Sequence, residues 1–257
     1  MLPLRCILIL VLGTMRIVAQ EANPRLDLVR KLDALRLPGS SFTATVTIHK
    51  TNTKKGETEV VHFTQQSRRR VEANGRIVFD TLVRCIGPVK DAGKSLLFVG
   101  EACWFYAPKA RNASRLSTSQ VAAEAWVADL MNWSFAEEFD HTVAGSERIE
   151  VGGTNHACTV LDFRPKVGIK NRSPLVRCWL DDQGRPWKME HYTASRRLFR
   201  SVLIVKYAKF VDGVRPVGLV ITSAGAKEEI VLGDARSAVV ADELFDPARL
   251  PLHGKEN

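Results

Sequence analysis

The sequence predicts an α+β fold: a single large curved antiparallel sheet, an open half-barrel, with an N-terminal helix and a short helical insertion covering the concave face. Three observations predict it. From Phe42 onward the chain reads as strand after strand, with turn signals between them. One amphipathic helix precedes the strands and needs an apolar surface to cover. No linker, composition break or fixed-period repeat divides the 257 residues, so the strands belong to one sheet, and a sheet that wide twists and curls.

Residues 1–22 read as a secretory signal. Arg5 lies in a short basic start, an apolar run occupies 6–15, and small residues stand at Ala19 and Ala22. No stretch of about 18 consecutive apolar residues occurs, which excludes a transmembrane helix. Cys6 precedes the apolar run and no cysteine lies at 19–23, so no acyl anchor is expected. The expectation is a soluble periplasmic protein in which 23–257 form one domain. Removing 1–22 lowers the net charge from +9 to +8. Outside the cytoplasm such a charge points away from nucleic acid, towards anionic headgroups or an acidic protein surface. The run Arg68, Arg69, Arg70 and the pair Arg196, Arg197 suit that role, or simply form solvated faces.

The first element is a helix. Asn23 caps it, Pro24 suits its first position, and Asp27 places a negative charge in the first turn. Leu26, Val29, Leu32 and Leu35 form one apolar stripe, and Pro38 with Gly39 ends it. Phe42, Ala44, Val46 and Ile48 then alternate with Thr43, Thr45, Thr47 and His49, the period-two pattern of a half-buried strand. Further strands are expected over 57–66, 76–86, 95–99 and 102–107. A helical insertion follows over 120–140, where Ser134 and Glu137 spell a capping box. Strands resume at Thr142, with turns at Gly152-Gly153, 181–184 and Asp212-Gly213. The pair 198–211 and 214–224 precedes a last strand over 229–235 and a tail over 244–250. About twelve strands result.

No catalytic or metal motif emerges. The six histidines form no helix-borne zinc pattern, and no nucleophile elbow is present. The stretch from Gly87 to Ser95 resembles a phosphate loop but has five residues between its glycines, and a strand follows where a helix is needed. Neither an enzyme, a metal nor a cofactor is indicated. Pairing about a turn near Gly168 would set Cys158 opposite Cys178, within reach of a disulfide. Cys85 and Cys103 flank a whole strand and lie about two strand spacings apart, too far for a bond.

The stretch Lys90-Asp91-Ala92-Gly93-Lys94-Ser95-Leu96-Leu97-Phe98-Val99-Gly100, followed by Trp104-Phe105-Tyr106-Ala107-Pro108-Lys109 and Arg111, resembles the outer-membrane lipoprotein-sorting-protein-like family. Relatives of that family include the periplasmic lipoprotein carrier and a treponemal uncharacterised-protein domain. The stretches 161–166, 179–181 and 210–213 agree in order, so the resemblance covers nearly all of 25–250. It implies an unclosed barrel with an apolar concavity under helices. It also implies a monomeric periplasmic carrier of lipid, or of the acyl chains of lipoproteins, bound for outer-membrane sorting, with an inner-membrane transporter as a further partner. The alternative is a non-transporting lipid-sensing or scaffold module that binds an envelope protein. Candidate lining residues are Leu97, Val99, Trp104, Tyr106, Leu161, Phe163, Trp179 and Met189. Alternation leaves the inner face open in strands that are apolar on both sides, such as the one carrying Leu96, Leu97, Phe98 and Val99.

Overall fold

The structure, a computed structural model, describes residues 24–100, 102–117, 133–169 and 173–253. The expected signal at 1–22 and most of the expected helical insertion, 120–132, lie outside the described residues. Thirteen strands form one antiparallel sheet: β1 (Phe42–Asn52), β2 (Glu57–Val71), β3 (Ile77–Gly87), β4 (Ser95–Val99), β5 (Ala102–Tyr106), β6 (Ser114–Arg115), β7 (Phe139–Val151), β8 (Thr154–Pro165), β9 (Leu175–Leu180), β10 (Pro186–Tyr192), β11 (Leu198–Phe210), β12 (Gly213–Ser223) and β13 (Ala226–Ser237). Their spatial order is β6-β5-β4-β3-β2-β1-β13-β12-β11-β10-β9-β8-β7. The sheet does not close on itself: β6 and β7 are its edges. It curls far enough to bring β7 against β11. Among the described residues no helix is long and apolar enough to cross a membrane.

Three details depart from the expected elements. The thirteenth strand is the two-residue β6, too short for periodicity to reveal. β7 starts at Phe139 rather than Thr142. β2 runs on to Val71 through Arg68, Arg69 and Arg70, because Asp80 of β3 lies opposite Arg68 and draws both Arg68 and Arg70 onto its carboxylate.

The helix α1 (Pro24–Arg36) lies on the inner face, with Val29 and Leu32 fully buried. They pack with Val46, Ile48, Val202 and Leu219 in the main core. Two glycines let the helix sit close. A Cβ on Gly184 of the β9–β10 turn would lie 2.5 Å from Lys31 Cβ, and Gly184 also adopts φ +76. A Cβ on Gly39 would lie 2.6 Å from Asp212 Oδ2. The C-terminus of α1 is held by Arg215, whose Nη1 donates to the carbonyls of Ala34 at 3.0 Å and Leu35 at 2.8 Å. That cation satisfies carbonyls the helix cannot pair itself. Asp212 accepts from Gly39 N at 2.6 Å and from Arg215 Nη2 at 2.8 Å.

The short helix α2 (Phe135–Glu138) is capped by Ser134, whose Oγ accepts from Glu137 N at 3.4 Å. The returning carboxylate of the box is Glu138, not Glu137: its Oε2 accepts from Ser134 N at 3.3 Å. After β13 the tail makes two single-turn 3-10 segments and the short helix α3 (Leu250–His253), which fold onto the outer face over β3–β5.

The cysteines correct the expected pairing. Cys158 and Cys178 are free, as are Cys85 and Cys103. The β8–β9 register sets Cys178 opposite Leu161, three residues from Cys158. An odd slip turns a side chain to the other face of the sheet. Cys178 therefore joins the inner core, while Cys158 packs on the outer face with Val160 and Trp179. Burial pushes the Cys158 thiol up to about 11 and raises that of Cys178 further, so both stay protonated.

Candidate lipid-binding cavity

A cavity of about 110 Å³ lies between the last turn of α1 and the inner face. Leu35, Phe42, Met189, Val202, Ile204 and Leu219 supply its apolar walls. Each strand contributes alternate residues, so the registers Met189↔Val202 and Ile204↔Leu219 line up one apolar row across β10, β11 and β12. Pro38, Pro186, Pro216 and Arg215 also line it.

The polar members are already engaged. Arg36, on the cavity wall, pairs with Asp33 at 3.2 Å and lies 4.9 Å over the Phe135 ring. Burial lowers its pKa, and Asp33 opposes that shift. Gln65 donates to Ser67 Oγ at 3.0 Å. The lining is mostly hydrocarbon, so the cavity offers a ligand chiefly apolar contact.

Beside the cavity an aromatic group packs on the inner face. Phe135 packs against Phe163 at 4.7 Å and Phe139 at 5.1 Å between ring centroids, and Trp133 contacts Phe135 and Phe139. Asp33 ties this aromatic group to α1: its carboxylate accepts from Phe135 N and Ala136 N, each at 2.9 Å, and from Ser134 Oγ at 3.3 Å. One carboxylate thus serves Arg36 on its own helix and the first turn of the other. At the margin, His191 is buried with its Nδ1 2.9 Å from Ser173 Oγ. Desolvation, helped by Arg200, lowers its pKa to about 4. The unfolded chain takes up that proton near pH 6.5 and the folded one only near pH 4. Stability is therefore expected to fall by about 3 kcal/mol as pH drops across that window, and not further on this account below it. Urea unfolding across pH 4–7 should show this slope, and His191→Gln should flatten it.

The candidate lining residues scatter. Met189 lines the cavity, and Leu161 and Phe163 lie on the inner face beneath Phe135. Leu97, Val99, Trp104 and Tyr106 do share one face, but the registers running from Phe42 through β2, β3 and β4 put it on the outside. There the C-terminal tail covers them with Phe245 and Leu250. Trp179 also points outward, donating to Glu147 Oε2 at 2.7 Å. Sequence reading missed Leu35, Phe42 and the β11–β12 row. Alternation in Val202/Ile204 and Leu219/Ile221 marks the row as one face but does not say that the helix above leaves a gap. Among the described residues no group of three or more His, Cys, Asp or Glu could hold a metal.

A curled open sheet with a helix laid over an apolar hollow defines a half-barrel of the lipoprotein-carrier type. A LolA superfamily protein from Nitrosomonas europaea superposes with a TM-score of 0.67 at 20% identity, over 86% of this chain and 96% of its own. A DUF1329 family protein from Desulfovibrio piger gives 0.73 at 20%, over 88% and 97%. The putative outer membrane lipoprotein-sorting protein domain from Vibrio parahaemolyticus gives 0.72 at 18%, over 89% and 100%. No curated protein sequence matches the chain. A family model described as "Uncharacterized protein" matches residues 79–251. The chain belongs to that family, and it shares the open half-barrel fold of the three structures above.

Proposed function

We propose that the protein is a non-catalytic periplasmic carrier, soluble and unanchored, that receives an acyl chain of a lipid or lipoprotein between α1 and the inner face and carries it toward the outer membrane. The observation that supports this most is the apolar cavity under the last turn of α1. A diacyl group of about 30 methylenes costs about 24 kcal/mol to hold in water, so it crosses an aqueous space only inside a protein. The cavity is smaller than an engineered one of about 150 Å³ that takes benzene. In this closed form it admits the end of one chain. A whole chain needs α1 and α2 to rise, and the surface they uncover, Val29, Leu32 and Phe135 included, is then met by lipid instead of water. The polar ties resisting this include, for α1, Arg215 to Ala34 and Leu35, Asp212 to Gly39 and Lys31 to the Asp182 carbonyl. For α2 they include Arg76 to Glu138 and Lys166 to Glu137, while Asp33 makes the two helices move together.

Mass spectrometry of organic extracts from gently purified protein is expected to find co-purifying lipid. A fluorescent fatty acid should bind, and Leu219→Trp, which fills the hollow, should weaken it about tenfold, the equivalent of about two methylenes. Circular dichroism must first show that the variant is folded. Lipid-free protein that ignores added phospholipid would leave the scaffold reading in its place.

A further inference from the structure

The basic run that looked suited to a surface role is occupied. Arg68 and Arg70 both close on Asp80. Open positive charge gathers instead on the turns at one end of the sheet. The β12–β13 turn touches the β1–β2 turn through Thr53 N, which donates to Gly225 O at 3.1 Å. Lys90 of the β3–β4 turn reaches Glu59 of β2 at 2.6 Å. Pro108, after β5, packs so close to Gly93 that a Cβ there would lie 2.8 Å from its ring. On the other side, Arg200 lies opposite Ser223, which brings the β10–β11 turn beside the β12–β13 turn. These neighbouring turns expose Lys54, Lys55, Lys90, Lys109, Arg111 and Arg197. The nearby acids are Glu57, Glu59, Asp91, Glu228 and Glu229. Glu59 pairs with Lys90, Asp91 with Lys94, Glu228 with Lys50 and Glu229 with Lys227. Among the described residues the unpaired cations there are therefore Lys54, Lys55, Lys109, Arg111 and Arg197. At the other end of the strands, Arg185 and Arg215 are tied to Asp181 and Asp212.

Two aliphatic side chains stand among these cations. Val89, at the tip of the β3–β4 turn beside Lys90, is 94% exposed, and Leu198, directly after Arg197, is 46% exposed. An acidic protein surface would be matched by the cations alone. A bare aliphatic tip between cations gains where hydrocarbon lies just beneath a layer of negative charge, which is the headgroup boundary of a bilayer. We infer that this end of the sheet docks on an anionic phospholipid membrane, with the lysines and arginines at the phosphates and Val89 and Leu198 dipping below them. The surface shares no residue with the cavity, so its failure leaves the carrier reading standing.

The test is co-sedimentation of the full chain with vesicles of phosphatidylglycerol in phosphatidylcholine, against phosphatidylcholine alone. Every variant carries the same N-terminal segment, so differences between variants report the turns. Binding should need phosphatidylglycerol and weaken with added salt. Removing Lys54 and Lys55 as alanines should cost about fivefold per cation. Val89→Ser should cost about tenfold and Leu198→Ser a similar factor, with fatty-acid binding unchanged. Val71→Ser and Val214→Ser, at the other end of the strands, should do nothing. Equal binding to neutral vesicles, or equal loss in those two controls, overturns the assignment. So does tight binding to a soluble polyanion that is indifferent to Val89→Ser, which would give the surface to an acidic macromolecule.

Discussion

Replacing Asp33 by alanine is expected to lower the unfolding free energy by about 3–5 kcal/mol. The side chain of Arg36 is only 7% exposed, so the substitution removes the carboxylate that most offsets the burial of its charge. Two backbone N–H groups, those of Phe135 and Ala136, lose their acceptor at the same time, a capping loss of about 1 kcal/mol. Asp33→Asn keeps an acceptor but not the charge and should fall between. Urea unfolding of both variants, with hydrogen exchange at the amides of 135 and 136, reads the two parts separately. In the alanine variant exchange there should quicken more than at the centre of β8, because α2 loses its tie to α1. If both variants lie within about 0.5 kcal/mol of the parent, the ordinary range for surface changes, Asp33 does not join the helices.

Asp80→Ala should be comparably severe, again about 3–5 kcal/mol. This carboxylate is fully buried on the outer face. It accepts from Arg70 Nε at 2.6 Å and Nη2 at 2.9 Å, from Arg68 Nη2 at 2.7 Å and from Gly100 N at 3.2 Å. Arg68 continues to Asp242 of the tail at 2.5 Å and lies 4.5 Å over the Phe245 ring, so the loss should also loosen the tail. Burial alone would push this carboxyl up, but Arg70, Arg68 and Gly100 hold it below the ordinary value of 3.8. A depressed folded pKa contributes stability that is present above the unfolded pKa and lost as pH falls through the folded one. The penalty of Asp80→Ala should therefore shrink below about pH 3.8, under the window assigned to His191. A penalty equal at pH 7 and in strong acid would mean that charge is not what Asp80 supplies.

The fold was legible where local signals repeat. The alternation of Phe42, Ala44, Val46 and Ile48, the stripe through Val29 and Leu32, and the Asp212-Gly213 turn each describe an element that the structure contains. The site was much less legible. Met189 was the one candidate found on the cavity wall. Leu97, Val99, Trp104 and Tyr106 were grouped onto one face, and that face proved to be the outer one.

Face is a matter of register summed across neighbours. The inner side of β4 follows from Phe42 through Ser67 and Thr81 to Phe98, and an odd slip at any step inverts the answer. The same sensitivity separated Cys158 from Cys178. By itself, then, the sequence determined the elements, their antiparallel succession and their gathering into one sheet, because those depend on residues a few positions apart. Only the tertiary structure decided which side of each strand faces α1, that the C-terminal tail covers the outer face, and that Asp33 links two helices about a hundred residues apart. Those outcomes depend on how side chains distant in sequence divide a shared space, and no local pattern encodes that division.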